Sequence, residues 1–151
     1  MEMIPYEFSG EFGPGDTIVE RGSSWQVEVI HGVLAVNGRF VFDRLLIDDD
    51  LKFPGHVELA RLPKVLAVTG SCDLSGCQKL SLMPEQMYVG GTLDLSETGV
   101  RQLPDTLLVG GDLAIDGCQS ITALDPGVKF GGLRAFFELT DSTGIPKRAM
   151  I

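Results

Sequence analysis

The sequence predicts a mainly β protein, a short β-solenoid of about four units and a degenerate last one, with an N-terminal β-hairpin or meander as its cap. Three observations predict it. Val68-Thr69-Gly70, Val89-Gly90-Gly91, Val109-Gly110-Gly111 and Phe130-Gly131-Gly132 recur at intervals of 21, 20 and 21 residues, a period that belongs to stacked repeats. Within each copy apolar and polar residues alternate as they do on a strand with one buried face. Prolines recur in the second half of the unit, where extended backbone tolerates them and a helix interior does not.

Taken in chain order, residues 1–15 carry Pro5, Gly10, Gly13, Pro14 and Gly15 and read as an irregular arm. Residues 16–46 read as a meander of short strands. Asp16 to Glu20, Trp25 to Ile30, Val33 to Val36 and Arg39 to Phe42 are β-rich runs parted by turns at Arg21-Gly22-Ser23, His31-Gly32 and Asn37-Gly38. Asn-Gly between alternating runs is a strong hairpin signal, because both central residues of a type I′ turn need positive φ. A solenoid has an open apolar end, and this segment is placed to cover it.

Residues 47–130 hold the repeats, which begin at Ile47, Val68, Val89 and Val109. The fifth position of each unit holds Leu51, Cys72, Leu93 or Leu113, and the seventh holds Phe53, Leu74, Leu95 or Ile115. These should point inward and form ladders at the strand spacing of about 4.8 Å. Further on come His56, Cys77, Thr98 and Cys118, then Leu59, Leu80, Val100 and Ile121, then Leu62-Pro63, Met83-Pro84 and Leu103-Pro104, with Leu124-Asp125-Pro126 as the altered fourth copy. Cys77-Gln78-Lys79-Leu80 is one residue longer than Thr98-Gly99-Val100, which explains the change in period as an insertion in a turn. Residues 131–151 form a degenerate terminal repeat and tail. Ala135 to Leu139 reads there as a last strand or cap, and its adjacent Phe136 and Phe137 would face opposite ways, which raises self-association beside capping.

This register resembles the leucine-rich repeat, Leu-x-x-Leu-x-Leu-x-x-Asn/Cys-x-Leu, and its Leu-Pro pairs are most similar to the short bacterial class of that family. Thr69, Gly90 and Gly110 depart from the first signature leucine. The resemblance implies a protein-binding solenoid of bacterial type whose Cys or Asn column satisfies turn backbone, and small size with acidic charge adds a phage origin as an expectation. Large effectors of that class add a ubiquitin-ligase domain with a Cys-x-Asp sequence. Cys72-Asp73 lacks the intervening residue, so no ligase activity is carried over.

Composition narrows the function classes. With 44% apolar residues and a net charge of -9 the chain reads as a soluble, folded protein. The absence of an 18-residue apolar run or a secretory signal at Met1 to Pro5, together with three cysteines, points to the cytoplasm and to no membrane partner. Direct nucleic-acid binding is not expected, because Lys147-Arg148 is the only adjacent basic pair.

No catalytic constellation stands out, and no cofactor or metal is expected. His56, Cys77 and Cys118 share one register position and would form a line along the solenoid, not a zinc tetrahedron. Gly110 to Asp116 lacks the third glycine and the nine-residue period of a calcium roll. Asp48-Asp49-Asp50 and the cysteines remain the residues on which a metal protein or enzyme would have to be built.

The candidate partner-binding residues are those expected on the outer strand face: Asp50 and Lys52 beside Pro54, then Ser71, Asp73 and Ser75, then Thr92, Asp94 and Ser96, then Asp112 and Asp116 around Ala114. From Asp48 to Asp116 there are 11 acidic residues against 5 basic ones. The expected function is therefore a non-catalytic interaction module, monomer or homodimer, whose acidic sheet face engages a basic protein. A small phage or mobile-element inhibitor that imitates nucleic acid in a basic groove is the alternative with the same charge logic.

Overall fold

A computed structural model describes residues 7–20, 22–118, 121, 126–134, 138–140 and 146–148. In chain order the strands are β1 (Glu7–Ser9), β2 (Thr17–Glu20), β3 (Ser23–Ile30), β4 (Val33–Val36), β5 (Arg39–Phe40), β6 (Arg44–Asp48), β7 (Leu51–Lys52), β8 (Val65–Val68), β9 (Cys72–Asp73), β10 (Gln86–Val89), β11 (Leu93–Asp94), β12 (Leu108–Val109), β13 (Asp112–Ala114), β14 (Gly132–Arg134), β15 (Glu138–Thr140) and β16 (Pro146–Arg148). No helix occurs among the described residues.

The repeats form a β-solenoid. Ile47 pairs with Val68, Val68 with Val89 and Val89 with Val109, so the chain advances one strand spacing per repeat through three turns. Each turn contributes to two parallel sheets. Sheet A runs β1-β6-β8-β10-β12 and sheet B runs β14-β13-β11-β9-β7. A third side is closed by single parallel bridges, Val33 to Arg61 and Arg61 to Leu82.

The second sheet corrects the sequence reading, which expected one strand per unit and an extended or 3₁₀ return. Val65-Leu66-Ala67-Val68 and Gln86-Met87-Tyr88-Val89 alternate outward and inward as strands of sheet A. The repeat boundary drawn at Val68 cut these strands at their last residue. The inward ladders are as expected: Leu51, Cys72, Leu93 and Leu113 are fully buried, and so are Phe53, Leu74, Leu95 and Ile115.

The N-terminal residues give a second correction. Glu7 to Ser9 pair in parallel with Leu46 to Asp48, and Phe12 bridges Leu51, so this part of the expected irregular arm is the first rung of the coil. Phe8 and Phe12 occupy the inward places of Ile47 and Leu51 and are fully buried, their rings 5.5 Å apart. The meander is inserted into that rung: β2, β3, β4 and β5 form an antiparallel sheet, and its buried Trp25 meets Phe8 edge-on at 6.4 Å. Its turns follow the predicted chemistry. His31 and Gly32 have φ of 51° and 79°, Asn37 and Gly38 have 51° and 78°, and Asn37 Oδ1 accepts a bond from the Gln26 N–H at 2.7 Å.

At the corner between the sheets successive rungs stack backbone on backbone. A Cβ at Gly111 would lie 2.9 Å from the Gly91 carbonyl oxygen, and one at Gly131 would lie 2.9 Å from that of Gly111. On these rungs the backbone below the recurrent glycines leaves no room for a Cβ, whereas Asp48 and Thr69, on the first rungs of the Gly90 and Gly110 column, carry side chains joined by a hydrogen bond. The terminal β14 continues sheet B, and β15 pairs antiparallel with β16. Phe136, Phe137 and the altered repeat at Leu124-Asp125 lie outside the described residues.

Candidate functional site

The outer side of sheet B carries the residues expected to bind a partner, and the solenoid does align them. Lys52 pairs with Asp73, Asp73 with Asp94 and Asp94 with Ala114, one column across four rungs. The side chains are nevertheless engaged in the fold. Asp73 Oδ1 accepts bonds from the Ser75 N–H at 3.0 Å and its hydroxyl at 2.6 Å, and Asp94 Oδ1 accepts from the Ser96 N–H at 3.0 Å. Each Asp-x-Ser thus closes the turn that leaves sheet B, as Asp does in Asx-turns.

The neighbouring column bonds between rungs. Asp50 Oδ1 accepts from the Ser71 N–H at 2.8 Å, and Ser71 Oγ accepts from the Thr92 N–H at 3.1 Å. Asp50, Ser71, Asp73, Ser75, Thr92, Asp94, Ser96, Asp112 and Asp116 are all half-buried, and only Lys52 is well exposed, 3.6 Å from Glu11. Ala114 was expected to face solvent, but it is 5% exposed. It is short and lies between the paired strands β11 and β14, so its neighbours cover it.

In the column of His56, Cys77, Thr98 and Cys118 the last three serve the backbone, whereas the buried His56 Nδ1 has no hydrogen-bond partner among the described residues. Cys77 Sγ donates to the Phe53 carbonyl at 3.0 Å, Cys118 Sγ to that of Leu95 at 2.8 Å, and Thr98 Oγ1 to the same Leu95 oxygen at 2.8 Å. All three cysteines are free and buried. Burial, followed by the nearby Asp73 charge, raises the pKa of the Cys72 thiol, and burial raises that of Cys77 against a smaller opposite effect of the His56 backbone. The Cys72 and Cys77 thiols therefore stay protonated at neutral pH. Among the described residues no three His, Cys, Asp or Glu side chains converge on a common point.

The surface that sequence reasoning missed is the outer face of sheet A. Leu46 pairs with Ala67, Ala67 with Tyr88 and Tyr88 with Leu108, an apolar column across four strands. Tyr88 is 42% exposed, Leu108 43% and the adjacent Val65 39%. A shallow depression of about 400 Å³ lies over Val65, Ala67, Tyr88 and Leu108. Exposed Asp48 and Asp49 stand at one margin of the face, and at the other exposed Glu85 and Asp105 are interspersed with exposed Arg44 and Lys64. The signal was present in the sequence, since these four residues recur at intervals of 21, 21 and 20, the period of the repeat itself.

Compared with known proteins, the chain matches no family model, no curated protein and no solved structure.

Proposed function

We propose that this protein is a non-catalytic interaction module that offers the outer face of sheet A to a protein partner of positive charge and complementary apolar surface. The observation that carries the reading is the Leu46-Ala67-Tyr88-Leu108 column, in which Leu46 and Ala67 are half-buried and Tyr88 and Leu108 stand exposed side by side. An apolar centre holding a tyrosine and rimmed by charged residues has the anatomy of a protein interface. The acidic Asp48-Asp49 margin and the net charge of -9 favour a basic partner by steering its approach. The hydrogen bonds that occupy Asp73 and Asp94 make the sheet B face the weaker candidate. The free, buried thiols support an intracellular setting. We further infer an affinity with short bacterial leucine-rich repeats, supported by the Leu-Pro period and the Cys-Thr column.

The test is a cross-linking capture with a photoreactive side chain at position 88, run beside a Tyr88→Ser, Leu108→Ser variant. Capture from host extract should be saturable, weaker at high salt, and lost in the variant while Asp73→Asn, Asp94→Asn retains it. Loss in the Asn pair with retention in the Ser pair would move the contact to sheet B. Stoichiometric zinc or calcium in the purified protein would replace the reading with a metal protein.

A further inference from the structure

The seam between the meander and the third side of the solenoid gathers aromatic and cationic groups that the sequence keeps apart. Phe40 and Phe42 flank buried Val41, so both rings emerge on one side, 41% and 43% exposed, with centroids 5.5 Å apart. Arg61 comes from the solenoid, and its guanidinium carbon lies 5.3 Å from the Phe42 centroid, within cation-π range. Leu82, bridged to Arg61 on the next rung, is 58% exposed.

The backbone holds this arrangement in place. The Gly32 carbonyl accepts from the Ala60 and Arg61 N–H groups at 2.8 and 3.2 Å, and the Lys64 N–H donates to the Phe42 carbonyl at 2.9 Å. A Cβ at Gly32 would stand 3.0 Å from both the Glu58 oxygen and the Ala60 methyl, so the glycine lets the meander sit close against the coil. The aromatic pair and the arginine therefore belong to one rigid corner built from two parts of the chain.

Charge sets this corner apart from the rest of the molecule. Residues 39–44 and 61–64 contain Arg39, Arg44, Arg61 and Lys64 against Asp43, and the rung of Leu82 adds Glu85, whose N–H donates to the Lys64 carbonyl, for a local charge of +2. As the whole chain carries -9, the remainder carries -11. The ion pair found among the described residues joins Lys52 and Glu11, and neither Arg61 nor Lys64 takes part in it. An arginine stacked on a ring keeps its planar N–H edge available for a carboxylate.

We propose that this corner is a second binding site, separate from the sheet A face, for a short acidic peptide segment that carries an aromatic or leucine side chain beside its carboxylates. Carboxylates meet Arg61 and Lys64, and the apolar side chain packs on Phe40, Phe42 and Leu82. A peptide fits better than a nucleic-acid strand. Polyanion affinity grows with the number of phosphates neutralised, and a strand running past these few cations meets an acidic surface.

Fluorescence anisotropy with a labelled ten-residue peptide of Asp and Glu around a central Phe-Leu tests this on the full chain. Saturable binding is expected, weakened about tenfold by Arg61→Gln or Lys64→Gln in protein with unchanged melting, and weakened by salt. A peptide with Gln in place of the acids should not bind. No binding up to about 1 mM protein, or equal binding of the Gln peptide or by both variants, overturns the proposal. Tighter binding of labelled oligo-thymidine makes the corner a nucleic-acid site, and a dimer lost on Arg61→Gln makes it a self-contact; either result also overturns it.

Discussion

Asp73 and Ser75 are joined twice: Asp73 Oδ1 accepts from the Ser75 N–H at 3.0 Å and from its hydroxyl at 2.6 Å. The pair closes the turn at the end of β9, and Asp94 with Ser96 repeats it one rung later at 3.0 Å. The two aspartates stand on paired strands, so a residue that holds the turn also places like charges side by side.

Separating those two roles needs an isosteric change. Asp73→Ala should lower stability by about 1 kcal/mol, the usual loss for a side-chain cap of backbone. Asp73→Asn keeps an acceptor oxygen and removes repulsion with Asp94, so it should melt within about 0.5 kcal/mol of wild type. Denaturant titration of both variants checks this, and equal losses would show that charge, not the turn bond, matters at this position.

The glycine corner predicts intolerance that composition would not suggest. A Cβ at Gly110 would overlap the Gly90 carbonyl oxygen directly below it. Gly110→Ala should therefore cost about 1 to 3 kcal/mol as an overpacked site, although alanine is the smallest side chain available. Ser81→Ala, at an exposed position, serves as the neutral comparison in thermal melting.

At the opposite corner Gly55, Gly76 and Gly117 have φ of 69°, 75° and 75°, and Glu97 fills the same column with φ of 58°. A left-handed glutamate carries steric cost that glycine avoids. Glu97→Gly should raise stability by about 0.5 kcal/mol, whereas Glu97→Ala should not. A melting temperature lowered by the glycine variant would contradict this account of the corner.

The thiols predict a loss of stability in alkali. Burial holds the folded pKa of Cys72 and Cys77 above the ordinary thiol value, so above about pH 8.5 the unfolded chain releases protons that the folded chain keeps. Their contribution is complete below that pH and declines as pH rises toward the folded values. Melting measured from pH 7 to 10 should fall, and the fall should be smaller in Cys72→Ala and Cys77→Ser. Equal slopes in all three proteins would assign the effect to other groups.

Much of the fold was legible because a solenoid repeats its physics at a fixed interval. The valine-glycine period, the inward ladders through Leu93 and Leu95 and the Asn37-Gly38 hairpin each follow from local chemistry that one stretch of sequence displays. Phe8 and Phe12 escaped notice because the meander separates them from Ile47 and Leu51, so the spacing to the next rung no longer matched the period. The predicted binding face was correctly aligned in register, yet sequence does not distinguish an aspartate that awaits a partner from one whose oxygen already closes a turn.

By itself, then, the sequence determined that the chain coils, with what period, and which side chains form the inward ladders through Leu51 and Phe53, since alternation and period depend on backbone geometry alone. Only the tertiary structure decided that the return segment forms a second sheet, that the outer face of this sheet is left open at Tyr88 and Leu108, and that Arg61 lies over Phe42. Those relationships depend on which rung stacks on which and on how the inserted meander folds back. Contacts between the meander and the coil fall outside the repeat period, so no single segment encodes them.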